Sequence, residues 1–199
     1  MKLRKILASL CVLALLAVPA SPQSAPRATY IATVGAQATT GAILLSIESS
    51  ATQGFRLLGW CVSSSSATAA AAVNVTVRRT TTASASGTQL TAEGTGSTAV
   101  SKMYPGHANF PGIARLGGTP GTDGATLDQV GFTVGEIAAG TADPHGPEPI
   151  CKTYLNTAGI PVPEVVAGTA NGISINVSSA GSGGLASGSI TAIVELLQP

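Results

Sequence analysis

Two histidines, three cysteines and nine acidic residues are the groups in this chain best equipped to attack a substrate, carry a proton or hold a metal. His107 stands in Tyr104-Pro105-Gly106-His107 and His145 in Asp143-Pro144-His145-Gly146-Pro147-Glu148, each in a Pro/Gly-rich turn. A histidine beside Asp143 and Glu148 has the donors for a divalent metal, or for a base with its orienting partner. Metal-ligand pairs usually keep helical or hairpin spacing, which this trio lacks, so it reads as exposed loop polarity. Serine is abundant, but the chain has no G-x-S-x-G elbow, no Cys-x-x-Cys pair and no His-Glu-x-x-His stretch. Gly94-Thr95-Gly96-Ser97-Thr98-Ala99 matches a dinucleotide fingerprint in letters only, because no strand-turn-helix unit surrounds it. A carboxylate pair for glycoside hydrolysis is disfavoured by so few acidic and aromatic residues. The expectation is a protein that is not an enzyme, with no catalytic residue, no metal and no cofactor.

The cysteines point elsewhere. Cys11 lies inside the apolar run from Ile6 to Val18, which follows the basic residues Lys2, Arg4 and Lys5 and ends at the small-residue site Val18-Pro19-Ala20. That order is the grammar of a secretory signal peptide, expected over residues 1–20. The run is shorter than the roughly 20 residues a membrane anchor needs, so no membrane insertion is expected once it is removed. Residues 21–28, rich in Ser, Pro and Gln, read as a flexible leader. Export would carry Cys61 and Cys151 to an oxidising compartment, whether outside the cell, at its surface or in the periplasm, and a disulfide between them is expected there.

Charge narrows the partners. Three of the ten lysines and arginines fall in the signal, leaving seven against nine acidic residues. A slightly acidic chain whose only adjacent basic pair is Arg78-Arg79 offers no clustered cations for phosphate, which argues against nucleic acid. Charged residues make up 10% of the chain, against about 25% in a typical soluble protein. The surface is therefore clothed in Ser, Thr, Gly and Ala, and few charges would have to be desolvated if copies packed together.

The elements that must position these groups are strands. Val73, Val75 and Val77 alternate with Asn74, Thr76 and Arg78; Ile173, Ile175 and Val177 alternate with Ser174, Asn176 and Ser178; Ile190, Ala192 and Val194 repeat the pattern. Period-two alternation gives each strand one core face and one wet face. The run Phe55 to Val62 has little polar face and predicts a central strand covered on both sides. Strands are expected over 29–34, 42–49, 55–63, 72–81, 126–134, 149–155, 172–178 and 187–197. The fold class is all-β: a single antiparallel β-sandwich over residues 29–199, jelly-roll-like, with about eight strands. One long Gly/Thr/Pro-rich loop, 83–124, interrupts them. Because Met103, Tyr104, Phe110 and Ile113 make it too apolar for a linker, its Tyr104, His107 and Phe110 are candidate contact residues. Asn74-Val75-Thr76 and Asn176-Val177-Ser178 match glycosylation sequons but fall within strands and are set aside.

The order of segments carries a resemblance. Phe55-Arg56-Leu57-Leu58-Gly59-Trp60-Cys61-Val62-Ser63 is followed by an Ala-rich turn, Val73 to Arg79 with Thr80-Thr81-Thr82, Gly87-Thr88-Gln89-Leu90-Thr91, a long Ala/Thr/Pro loop, and the closing Gly172 to Val177 and Ile190 to Glu195. It resembles the small jelly-roll or β-sandwich proteins of tailed-phage structural gene clusters, which serve as minor capsid, decoration or fibre-associated subunits. The resemblance implies an assembly role and no catalytic residues. Virion proteins do not normally carry a signal peptide, so it concerns the fold, reused by an exported protein. The expected partner is a homo-oligomer or surface lattice, and the alternative is a secreted module that binds carbohydrate or another surface, with a glycan on the loop aromatics.

Overall fold

In the computed structural model, residues 27–38, 42–66, 71–94, 98–134, 149–154, 161–180 and 185–197 are described. They contain thirteen strands: β1 (Thr29–Ala38), β2 (Ala42–Glu48), β3 (Phe55–Ser66), β4 (Ala71–Thr80), β5 (Thr88–Gln89), β6 (Thr91–Ala92), β7 (Thr98–Lys102), β8 (Ile113–Leu116), β9 (Asp123–Val134), β10 (Ile150–Thr153), β11 (Glu164–Val165), β12 (Gly172–Ala180) and β13 (Leu185–Leu196). They form two sheets. The first runs β10-β3-β13-β1-β7-β6, with β11 also on β3, and the second runs β5-β8-β2-β12-β4-β9. Every pairing is antiparallel except β6 with β7.

The alternation in the sequence decides which faces meet. Ile43, Leu45 and Ile47 of β2, Val73, Val75 and Val77 of β4, and Ile173, Ile175 and Val177 of β12 are buried and face the first sheet. That sheet answers with Tyr30, Ala32 and Val34 of β1, Phe55, Leu57, Trp60 and Val62 of β3, and Ile190, Ala192 and Val194 of β13. Burying each larger apolar side chain contributes about 1.5–3 kcal/mol, and the two facing rows make one continuous core. β1 and β13 pair along their length, with Thr29 opposite Glu195, in the middle of the first sheet.

All eight expected strands are present, but the count of about eight is too low. Four of the additional strands, β5 to β8, lie inside the stretch expected to be one long loop, and the fifth is the two-residue β11. The reason is that Leu90, Ala99, Val100 and Ala114 are buried apolar residues spaced among Gly and Ser. They are too few and too interrupted to show a period, yet enough to seat short segments on the sheets. The apolar continuity of β3 also has a local cause. Ile193 pairs with Gly59 and Val194 with Leu57, so Leu58 is an extra residue in the ladder. This β-bulge lets Leu57 and Trp60, three apart, both point inward. Leu58 and Cys61 on the other side are only half-buried.

Cys61 and Cys151 form the expected disulfide. They stand directly opposite each other in the β3–β10 ladder, with Cα atoms 4.0 Å apart and 90 positions apart in sequence. A bond here is compatible with an oxidising environment. Among the described residues no helix is long and apolar enough to cross a membrane.

Candidate functional site

Among the described residues, one set of groups with chemistry converges near the core, at the side of the sandwich where β9 of the second sheet meets β3 and β10 of the first. Trp60 Nε1 donates to Tyr154 Oη (3.1 Å), which donates to Asp128 Oδ2 (2.7 Å). Lys152 Nζ donates to the other oxygen, Oδ1, at 2.5 Å, and the Gln129 N–H also donates to it at 2.9 Å. Partial burial alone would raise the Asp128 carboxyl, but the hydrogen bonds from Lys152 and Tyr154, the Lys152 charge and the Gln129 N–H together hold it below the ordinary carboxylate value. Burial, then the bond to Asp128, raises the Tyr154 hydroxyl, so it stays a donor. Each of these side chains is bonded to another of the set, which latches the two sheets together.

The expected contact residues separate. Tyr104 is 59% exposed and Met103 beside it 56%. The His107 N–H donates to the Tyr104 carbonyl at 3.1 Å and closes a turn, with the two rings 5.1 Å apart. Phe110 turns inward instead, edge-on to Tyr30 at 5.3 Å and to Phe55 at 6.2 Å, while Tyr30 Oη donates to the Ala108 carbonyl at 2.9 Å. Phe110 thus pins the loop and Tyr104 is presented by it. The Asp143, His145 and Glu148 trio lies outside the described residues. Among the described residues no three His, Cys, Asp or Glu side chains are grouped to hold a metal.

Two surfaces that the sequence did not single out are better defined. One is the edge formed by β9. Three sides of the two sheets end in short strands, β5 and β6 with two residues each and β10 with four, whereas β9 has twelve and is the last strand of its sheet among the described residues. Its Leu127, Val130 and Phe132 pack partly against the core, and Gln129 and Gly131 are exposed.

The other surface is the outer face of the second sheet. Register places Arg115, Ser46, Ser174 and Arg78 opposite one another in a single row across β8, β2, β12 and β4. The neighbouring row on one side holds Glu48, Gly172 and Thr80. On the other side lie Leu44, Asn176 and Thr76, followed by Ser178 and Asn74. Outward rows should be wet, yet Ser46, Glu48, Ser174 and Thr80 are each no more than 4% exposed. The cover comes from the segments flanking β5 and β8. Ser84 donates both its N–H and its hydroxyl to Glu48, Ala85 and Thr119 pair through reciprocal N–H···O bonds of 3.0 and 2.8 Å, and 117–122 crosses from β8 on one side of the sheet to β9 on the other. Beside this strap lies an open groove of about 190 Å³ lined by Leu44, Asn74, Thr76, Arg78, Pro120, Asp123, Ser174, Asn176 and Ser178. Arg78 pairs with Asp123 at its rim.

No known family model matches the chain, and comparisons with curated proteins and solved structures also returned no match. What the fold defines is a class: an all-β protein of two packed sheets with a disulfide across one edge.

Proposed function

We propose that the chain is an exported, non-enzymatic building subunit that associates with copies of itself, or coats a larger extracellular or virion-like structure, through the edge of β9. The observation that carries this reading is the contrast among the sheet edges. An edge strand offers a row of backbone donors and acceptors to another chain, and proteins that must stay single shorten or charge such edges. β5, β6 and β10 are short, while β9 is long, and from Asp128 to Val134 it holds one charged residue. Pairing of β9 with a second copy would extend the sheet while desolvating almost no charge.

The jelly-roll form of the sandwich is part of the same proposal. Numbered among themselves, the eight strands expected from the sequence run first-eighth-third-sixth in one sheet and second-seventh-fourth-fifth in the other. That order is two interlocked Greek keys, which supports the likeness to phage jelly-roll subunits. The signal-like residues 1–20 and the disulfide support delivery outside the cytoplasm.

Size-exclusion chromatography with light scattering and negative-stain microscopy on the exported protein tests the reading. We expect a concentration-dependent oligomer that Gln129→Lys with Gly131→Lys reduces to a monomer. The added Cβ at Gly131 meets nothing closer than 3.8 Å, so the variant keeps its own fold. A wild-type protein that stays strictly monomeric at high concentration overturns the proposal. The second reading, a carbohydrate-binding module, is favoured by the amide- and hydroxyl-lined groove and by the exposed Tyr104.

A further inference from the structure

The groove on the outer face of the second sheet collects polar side chains that the fold leaves unused. Ser174, Asn176 and Ser178 stand on β12, and Thr76 and Asn74 face Asn176 and Ser178 across the ladder on β4. The hydroxyls of Ser174, Ser178 and Thr76 and the amide of Asn176 have no hydrogen-bond partner among the described residues. Asn74 accepts one bond, from Gln129 Nε2 at 3.3 Å, and keeps its own amide N–H groups free. Ser174 is the most telling of the set. It is only 3% exposed, yet it lines the groove, and its hydroxyl is not sealed off as that of Ser46 opposite it is. Polar groups this deep are paired in the great majority of cases, so an unpaired hydroxyl open only to the floor of a groove points to a ligand.

Register arranges these groups in three successive rows: Arg78 with Ser174, Thr76 with Asn176, and Asn74 with Ser178. Side chains on one face recur at every second residue, so the rows span roughly 14 Å along the strands. Amides and hydroxyls each offer both a donor and an acceptor, which is what a sugar hydroxyl asks of its partners. The groove carries no net charge, because Arg78 and Asp123 pair at its rim. It therefore holds no uncompensated cation for a carboxylate or sulfate and no uncompensated acid for an amine. Leu44, the outward residue of β2 opposite Asn176, and Pro120 of the strap add apolar surface for the C–H face of a ring.

We infer that this groove binds a neutral glycan, a chain of uncharged sugar rings laid along β4 and β12. One hydroxyl seats on Ser174, others on Asn176, Thr76, Asn74 and Ser178, and a ring face rests against Leu44 and Pro120. The inference rests on the reading of the chain as a carbohydrate-binding module, and it assigns the site and the charge of the ligand. It uses the face of the sheet, whereas self-association through β9 uses the edge.

Affinity electrophoresis on the exported protein tests it, with dextran, hydroxyethylcellulose, xylan and mannan as neutral probes, polygalacturonate as the acidic one, and an array of neutral oligosaccharides beside them. We expect binding to at least one neutral glycan and none to polygalacturonate. Two variants separate binding from folding. Asn176 is exposed and its amide holds no other residue, and Thr76→Val keeps the shape of a side chain whose hydroxyl has no partner. Each of Asn176→Ala and Thr76→Val should weaken binding by about three- to tenfold, the scale of one neutral hydrogen bond, and leave the melting temperature within about 2 °C. The two together should abolish retardation. Binding that survives the combined variant and is lost in Tyr104→Ala would overturn this site while leaving a module that binds through its loop. Polygalacturonate bound as well as the neutral chain would overturn the assigned ligand. No binding to any neutral glycan would overturn the inference and the module reading with it.

Discussion

Tyr154→Phe removes one oxygen from the latch between the sheets. The hydroxyl both accepts from Trp60 Nε1 and donates to Asp128, so its loss leaves a buried indole N–H without an acceptor and a carboxylate with one donor fewer. An unsatisfied buried donor costs about 1–3 kcal/mol, and a lost hydrogen bond to a charged group about 1.5–3 kcal/mol, partly offset because Asp128 keeps Lys152 and the Gln129 N–H. The expected sum is about 2–4 kcal/mol. At roughly 2–4 °C per kcal/mol for a domain of this size, the melting temperature should fall by about 4–16 °C in calorimetry at neutral pH. The effect should also depend on pH in a defined direction. Asp128 titrates below the ordinary carboxylate value, so its stabilising contribution is present above about pH 4 and is lost as pH falls through the lower folded value. With the Tyr154 donor gone the depression shrinks, and the acid-induced loss of stability should be smaller in the variant than in the wild type. A melting temperature within about 1 °C of wild type, with an unchanged acid limb, would refute the idea that the latch couples the sheets.

Breaking the Cys61–Cys151 bond by reduction, or by replacing both with serine, should cost up to about 4–5 kcal/mol in the chain-entropy model for a 90-residue separation, read as a shift in the urea midpoint with and without reductant. Gly121→Ala should destabilise by about 2 kcal/mol or more, because a Cβ there would lie 1.8 Å from the Thr82 carbonyl oxygen, whereas Gly131→Ala should stay within about 0.5 kcal/mol. Paired thermal melts check the contrast. Phe110→Ala should release the 103–112 loop from Tyr30 and Phe55, and the residues around Tyr104 should then be cut first in limited proteolysis while the sheets remain intact.

The long strands were legible because their alternation is strong: three valines on β4 and three branched residues on β12 leave no other face to bury. The cysteine pairing was legible because a signal-like start would send the two remaining thiols, Cys61 and Cys151, to an oxidising compartment. β5 to β8 were not, since two- to five-residue strands carry no period and owe their place to neighbours already formed. The bulge at Leu58 was equally hidden, because an apolar run reads the same whether it is covered on both sides or shifted by one residue. The latch and the arginine-serine row escaped for another reason. Lys152 and Tyr154 are far from Asp128 and Trp60 in sequence, and Arg115 meets Ser46 only through the register of a strand that the sequence presents as loop. Chemistry assembled across strands becomes visible when register is known.

The antiparallel pairing of β1 with β13 also sets how the molecule responds to force. Thr29 and Glu195 face each other at one end of the pair, in the middle of the first sheet. A pull between these two points loads the ladder at that end and opens its hydrogen bonds one after another, as a zip, without shearing them together. The domain should therefore yield at low force when drawn by its two flanks, while tension applied along β9 from a paired neighbour would load many bonds at once. A tether through the flanks and a joint through the edge strand would have very different mechanical strengths within the same fold.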